Sequence, residues 1–181
     1  MNKKIRWITE TAVLLALLVT LQALTKPLGQ LVTGSCVNAV LAISTLLGGL
    51  GCGITIGLIS PVLAFLLGIA PQALTVPAIM VGNTIYVVLL SVLAGRKGTH
   101  ILRQVIAWLA AAAAKFAALY AIVVLLICGL FSDALLAAGT LKAPMLQALP
   151  ATFSWPQLFT ALIGGAVAFL IVPVLRKALR K

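Results

Sequence analysis

Six runs of apolar residues, each near the length of a membrane crossing, divide this chain. They fall at about 7–25, 34–50, 53–70, 75–94, 104–130 and 157–175. A hydrocarbon layer about 30 Å thick takes roughly 20 residues of helix, and within it a helix satisfies its own backbone. The runs take up most of the 181 residues. The sequence therefore predicts an all-α polytopic membrane protein: one domain, 1–181, of six transmembrane helices. Composition agrees, since with 63% apolar and 8% charged residues a soluble domain would lack a polar surface. The second and third runs are short, but they meet at Gly48, Gly49, Gly51 and Gly53. An apolar stretch broken by glycines reads as two crossings, with Gly51 and Gly53 suited to the tight turn.

A net charge of +11 raises the question of nucleic acid, and its placement argues against it. Lys3, Lys4 and Arg6 precede the first run, Arg96, Lys97 and Arg103 separate the fourth from the fifth, and Arg176, Lys177, Arg180 and Lys181 follow the sixth. With six crossings all of these lie on one side. Only Lys26 and Lys142 lie in loops on the other, and Lys115 lies within a run. This is the positive-inside pattern, and it places both termini in the cytoplasm. The basic residues then set topology and meet anionic lipid head groups of the bilayer, and no nucleic-acid partner is expected.

Few residues can carry chemistry. The chain has two acidic residues and one histidine, His100, in a predicted loop among arginines. No acid–base pair or metal-ligand cluster can be assembled within the spans, so no catalytic residue, metal or cofactor is expected. Cys36, Cys52 and Cys128 are scattered, with no CxxC pair, and read as small packing residues. The glycine-rich stretch lacks GxxxxGK[ST], which removes nucleotide binding. Glu10 lies near the edge of the first span and Asp133 in a loop, whereas a proton-coupled carrier wants a carboxylate inside the membrane.

What remains is a polar lip at the outer start of the second run, Gln30, Thr33, Gly34, Ser35 and Asn38, and polar residues within three spans. At 1.5 Å per residue, Asn38 lies roughly 6–9 Å deep from the outer side, Asn83 roughly 12 Å and Lys115 roughly 13 Å. Three side chains on three helices thus reach similar depth. Tyr86 follows Asn83 by one turn, and Trp155 stands at the outer edge of the sixth span. A central lysine costs about 2.5–3.5 kcal/mol to insert and belongs in the bundle interior or a wet cavity. It serves either as counter-ion for an anionic ligand group or pairs with carbonyls or a lipid phosphate. Asn38 and Asn83 serve the same site or hold helices together. The reading is a small-molecule site in which the lip supplies a lid and one wall and spans four and five the other. Pro61 should free a carbonyl near Gly57 that needs a partner.

These features, with Thr9-x-x-Ala12-x-x-x-Ala16 in the first span, resemble the substrate-specific S component of energy-coupling factor (ECF) vitamin transporters over essentially the whole chain. The resemblance implies capture of a vitamin or related micronutrient at the outer face of a bacterial plasma membrane. It implies association with a transmembrane T component and two ATPases, which hydrolyse the ATP. It places the ligand under the first external loop, here about 26–32, and Ala12 and Ala16 against the T component. Lys115 tilts the expected ligand toward a carboxylate, such as a pantothenate-, biotin- or nicotinate-like molecule. The alternatives are a stand-alone small transporter or a membrane assembly protein.

Overall fold

A computed structural model describes residues 2–69, 72–94 and 101–179. Arg96, Lys97, Arg180 and Lys181, which entered the charge argument, and His100 lie outside them. Helix makes up 90% of the molecule, with no strand among the described residues. The elements are α1 (Lys3–Thr25), a 3₁₀ turn (Lys26–Leu28), α2 (Gln30–Gly48), α3 (Leu50–Leu66), α4 (Val76–Ala94), α5 (Ile101–Leu119), α6 (Ser132–Ala137), α7 (Met145–Phe153) and α8 (Trp155–Ala178). Helix α5 runs on as a π-helix over Tyr120–Leu130. Five stretches have the length and composition to cross a membrane: Lys3–Leu28, Gln30–Gly48, Ala73–Ala94, Ile101–Leu130 and Met145–Ala178. The remaining expected span, the third, is the shorter apolar helix α3, whose 17 residues rise about 25 Å, at the lower limit for a crossing.

The chain solves the polar problem of an apolar helix locally. Hydroxyls donate to the carbonyl four residues back: Thr11 to Trp7 at 2.8 Å, Ser35 to Leu31 at 2.6 Å, Thr45 to Leu41 at 2.7 Å and Thr84 to Met80 at 2.8 Å. Such side chains need no partner on another helix. The ends of α2 are both made by glycine. Gly29 (φ 87°) and Gly49 (φ 86°) take a backbone that L side chains rarely adopt, so Gly29 completes the turn that follows Lys26–Leu28 and Gly49 by itself separates α2 from α3. The expected turn is thereby corrected. Gly49 alone makes it, while Gly51 and Gly53 are inside α3, where Gly53 gives Thr45 and Val87 room to approach.

The second helix starts earlier than its apolar run. Residues 30–32, expected in the first external loop, are the first turn of α2, and that loop shrinks to Lys26–Leu28 and Gly29. Between the π-helix and α8 the chain forms two short helices, α6 and α7, with a break between them.

Helices α2 and α8 interlock most closely. A methyl on Gly34 would lie 2.7 Å from Thr160 Cγ2, and one on Gly164 would lie 2.5 Å from Ser35 O and 2.7 Å from Ala39 N. Backbones approach this far only where side chains are absent. The main core, with Leu41, Ile56, Tyr86, Leu90, Ala111 and Ala168, is shared by α2, α3, α4, α5 and α8. A second cluster, with Leu119, Val123, Leu141, Leu149 and Phe153, binds α7 to the π-helix. At the basic end, Arg176 donates to Leu46 O (2.9 Å) and Arg103 to Leu93 O (2.8 Å), so cations meet the terminal carbonyls of α2 and α4.

Candidate functional site

The three polar residues expected at one depth are joined by hydrogen bonds. Lys115 Nζ donates to Asn38 Oδ1 at 2.6 Å and to Asn83 Oδ1 at 2.7 Å, and it stands over the Tyr86 ring, 5.6 Å from the centroid. Lys115 is 3% exposed, Asn38 and Asn83 1% each. Because α2 begins at Gln30, Asn38 is eight residues along it (38 − 30), about 12 Å from its start rather than 6–9 Å. That brings it level with the depth expected of Asn83.

Each asparagine is itself held. Asn38 Nδ2 donates to Gly34 O (2.9 Å) and to Thr160 Oγ1 (3.2 Å), and the Thr160 hydroxyl donates to Gln157 O (3.0 Å). Asn83 Nδ2 donates to Gly57 O (3.2 Å). That carbonyl stands four residues before Pro61, which has no N–H to give it. The sequence signalled an unpaired carbonyl there, and the structure supplies its partner. The arrangement is an ammonium wrapped by two amide oxygens and an aromatic face, all attractive to a cation.

Neutralisation is missing. The chain has only two acidic residues. Glu10 pairs with Arg6 at 2.7 Å on an exposed stretch of α1, and Asp133 is exposed in the first turn of α6. Amide dipoles solvate a charge without cancelling it, and a buried charge without a counter-ion is costly.

The other expected site residues are placed differently. Gln30 is exposed at the start of α2, and Thr33 Oγ1 donates to Thr25 O at 2.8 Å, tying α2 back to the end of α1. Gly34 belongs to the knot through its carbonyl and through its contact with Thr160. Trp155 is 64% exposed and stacks on Phe116 at 5.5 Å and 20°; Phe116 also meets Tyr120 at 5.8 Å. Ala12 and Ala16 are both exposed on α1. Lys26 in the first loop reaches across to donate to the Gly68 carbonyl beyond α3.

Thr160 and Phe116 were not singled out from the sequence. The signal for Thr160 was its spacing, four residues before Gly164, which puts it on the helix face that the glycines bring against α2. Among the described residues no three His, Cys, Asp or Glu gather as a metal site would require.

A sequence model of the family described as ECF transporter, substrate-specific component, matches residues 6–176. The chain belongs to that family. It is a substrate-specific transporter component, of a family of transporter subunits rather than enzymes, and with its apolar helices a multi-pass membrane protein. No curated protein and no solved structure matches it.

Proposed function

We propose that this component captures a carboxylate-bearing vitamin or related micronutrient at the outer face of a bacterial plasma membrane. In this reading the chain is one domain crossing six times with both termini in the cytoplasm, and Lys115 is the counter-ion. The observation that carries it is Lys115 itself: buried, held by Asn38 and Asn83, and without a side-chain carboxylate to neutralise it. A ligand carboxylate supplies what the chain lacks. In this reading Gly34, whose carbonyl holds Asn38, and Tyr86 adjoin the cage, and Gln30, Thr33 and Trp155 meet the ligand outside it.

Delivery follows from the family. The partners are a transmembrane T component and two ATPases, and the exposed Ala12 and Ala16 face gives a flat surface against which another helix can pack. Mass spectrometry of the small molecule that co-purifies with the chain is the decisive experiment. An organic acid is expected; a neutral or cationic compound would overturn the counter-ion role. Co-expression with a T component and two ATPases should yield a complex, and a stand-alone transporter or assembly protein would yield none.

A further inference from the structure

An amide side chain has two faces, and only its oxygen suits an ammonium. Both asparagines around Lys115 present Oδ1 to it, so something must hold each Nδ2 away. At Asn38 the restraint is double: Gly34 O and Thr160 Oγ1 accept from Nδ2, and the Thr160 hydroxyl spends its proton on Gln157 O. At Asn83 the acceptor is Gly57 O. In an uninterrupted helix that oxygen would take the N–H of residue 61, and proline has none. Gly57 also provides the room, since a methyl there would lie 3.3 Å from Asn83 Cβ. The two residues form one device, four apart on α3: glycine admits α4, and proline leaves an acceptor facing it.

We propose that Pro61 is a positioning residue for Lys115. By leaving the Gly57 carbonyl free, it draws Asn83 Nδ2 toward α3 and turns Asn83 Oδ1 onto the ammonium. Pro61 thus sets the polarity of a site on α4 and α5 without touching Lys115. The inference bears on ligand capture only through the counter-ion role proposed above; the cage itself does not depend on it.

The rival account is that Lys115 alone orients Asn83 and Pro61 merely shapes α3. A coupling experiment separates them. In Asn83→Asp the donor toward Gly57 is replaced by an oxygen, and two acceptors then face each other. Pro61→Ala restores an N–H to the Gly57 carbonyl and relieves that conflict. In Asn38→Asp the Thr160 hydroxyl can turn and donate to the carboxylate, so position 61 gains nothing there.

The thermal midpoint of the full-length chain in detergent micelles is measured for Pro61→Ala in three backgrounds: wild type, Asn83→Asp and Asn38→Asp. The shift should be more favourable in the Asn83→Asp background than in the other two by at least about 2–4 °C, with the other two alike. Equal shifts in all three overturn the proposal. In the same protein labelled with ¹⁵N-lysine, the slowly exchanging ammonium signal lost in Lys115→Met should weaken at least twofold in Pro61→Ala; an unchanged signal likewise overturns it. Should Pro61→Ala not fold, Pro61→Ser supplies the same N–H and is read by the same two outcomes. Neither measurement uses a ligand. A separate assay of radiolabelled nicotinate, biotin and pantothenate binding tests the counter-ion role, so the failure of one reading is distinguishable from the failure of the other.

Discussion

Helices α1 and α2 are neighbours in sequence and equally apolar, yet 11% of the spanning window of α1 is buried inside the molecule against 44% of that of α2. Helix α2 touches α1, α3, α4 and α8 and carries Asn38 into the centre. Helix α1 leaves Val13, Leu17 and Leu24 outside, with Leu18 as its fully buried leucine. Hydropathy does not separate the two, because lipid is as good a solvent for leucine as another helix is. Small and polar residues do separate them. In α2 they face inward as Gly34, Asn38, Ala42 and Ser44, while in α1 Ala12 and Ala16 face out. The same residue type therefore marks the interior of one helix and an unfilled surface of the other.

This contrast can be broken most directly at Gly164. Any side chain there meets α2 backbone, so Gly164→Leu is expected to cost more than about 3 kcal/mol and to remove the monodisperse peak in size-exclusion chromatography. Lys115→Met comes next in consequence for function. It should leave expression and elution unchanged and abolish capture of the co-purifying molecule; retained capture would detach Lys115 from the site. In α2, Leu41→Ala leaves a cavity at a fully buried position and should destabilise by about 2 kcal/mol in denaturant-titrated micelles. The same change at Leu17 of α1, 45% exposed, should cost under about 0.5 kcal/mol. The smallest effect on the isolated chain is expected from Ala12→Trp with Ala16→Trp. Melting should stay within about 2 °C of wild type and ligand binding should survive, while assembly with the T component and ATPases is lost. A loss of folding there would mean that α1 is as internal as α2.

Much of this was legible in the sequence, for reasons that differ by element. Apolar length located α1, α4, α5 and α8 within a few residues, because crossing a membrane fixes a minimum run. Depth counting brought Asn38, Asn83 and Lys115 together, and Pro61 announced the carbonyl that Asn83 now satisfies. Less legible were features set by conformation rather than composition. Gly48, Gly49, Gly51 and Gly53 read alike as letters, but only Gly49 adopts positive φ. Residues 30–32 read as loop beside Pro27 and Gly29, yet they open α2 directly after the positive-φ Gly29. The π-helix over Tyr120–Leu130 has no sequence mark. Trp155 read as a residue at the outer edge of the sixth span, and its stack on Phe116 depends on two helices meeting at a place that no spacing rule gives.

Two of the three Lys115 N–H donors are taken by amide oxygens, the Tyr86 ring lies beside the ammonium, and the residue is 3% exposed. For the proposed capture this has a kinetic consequence. A carboxylate reaches the buried ammonium only after the residues around it give way. A rearrangement of this kind makes association a two-step process, with a step whose rate does not depend on ligand concentration. The observed rate should therefore level off as ligand is raised, and variants that loosen the asparagines should raise that plateau even as they weaken affinity.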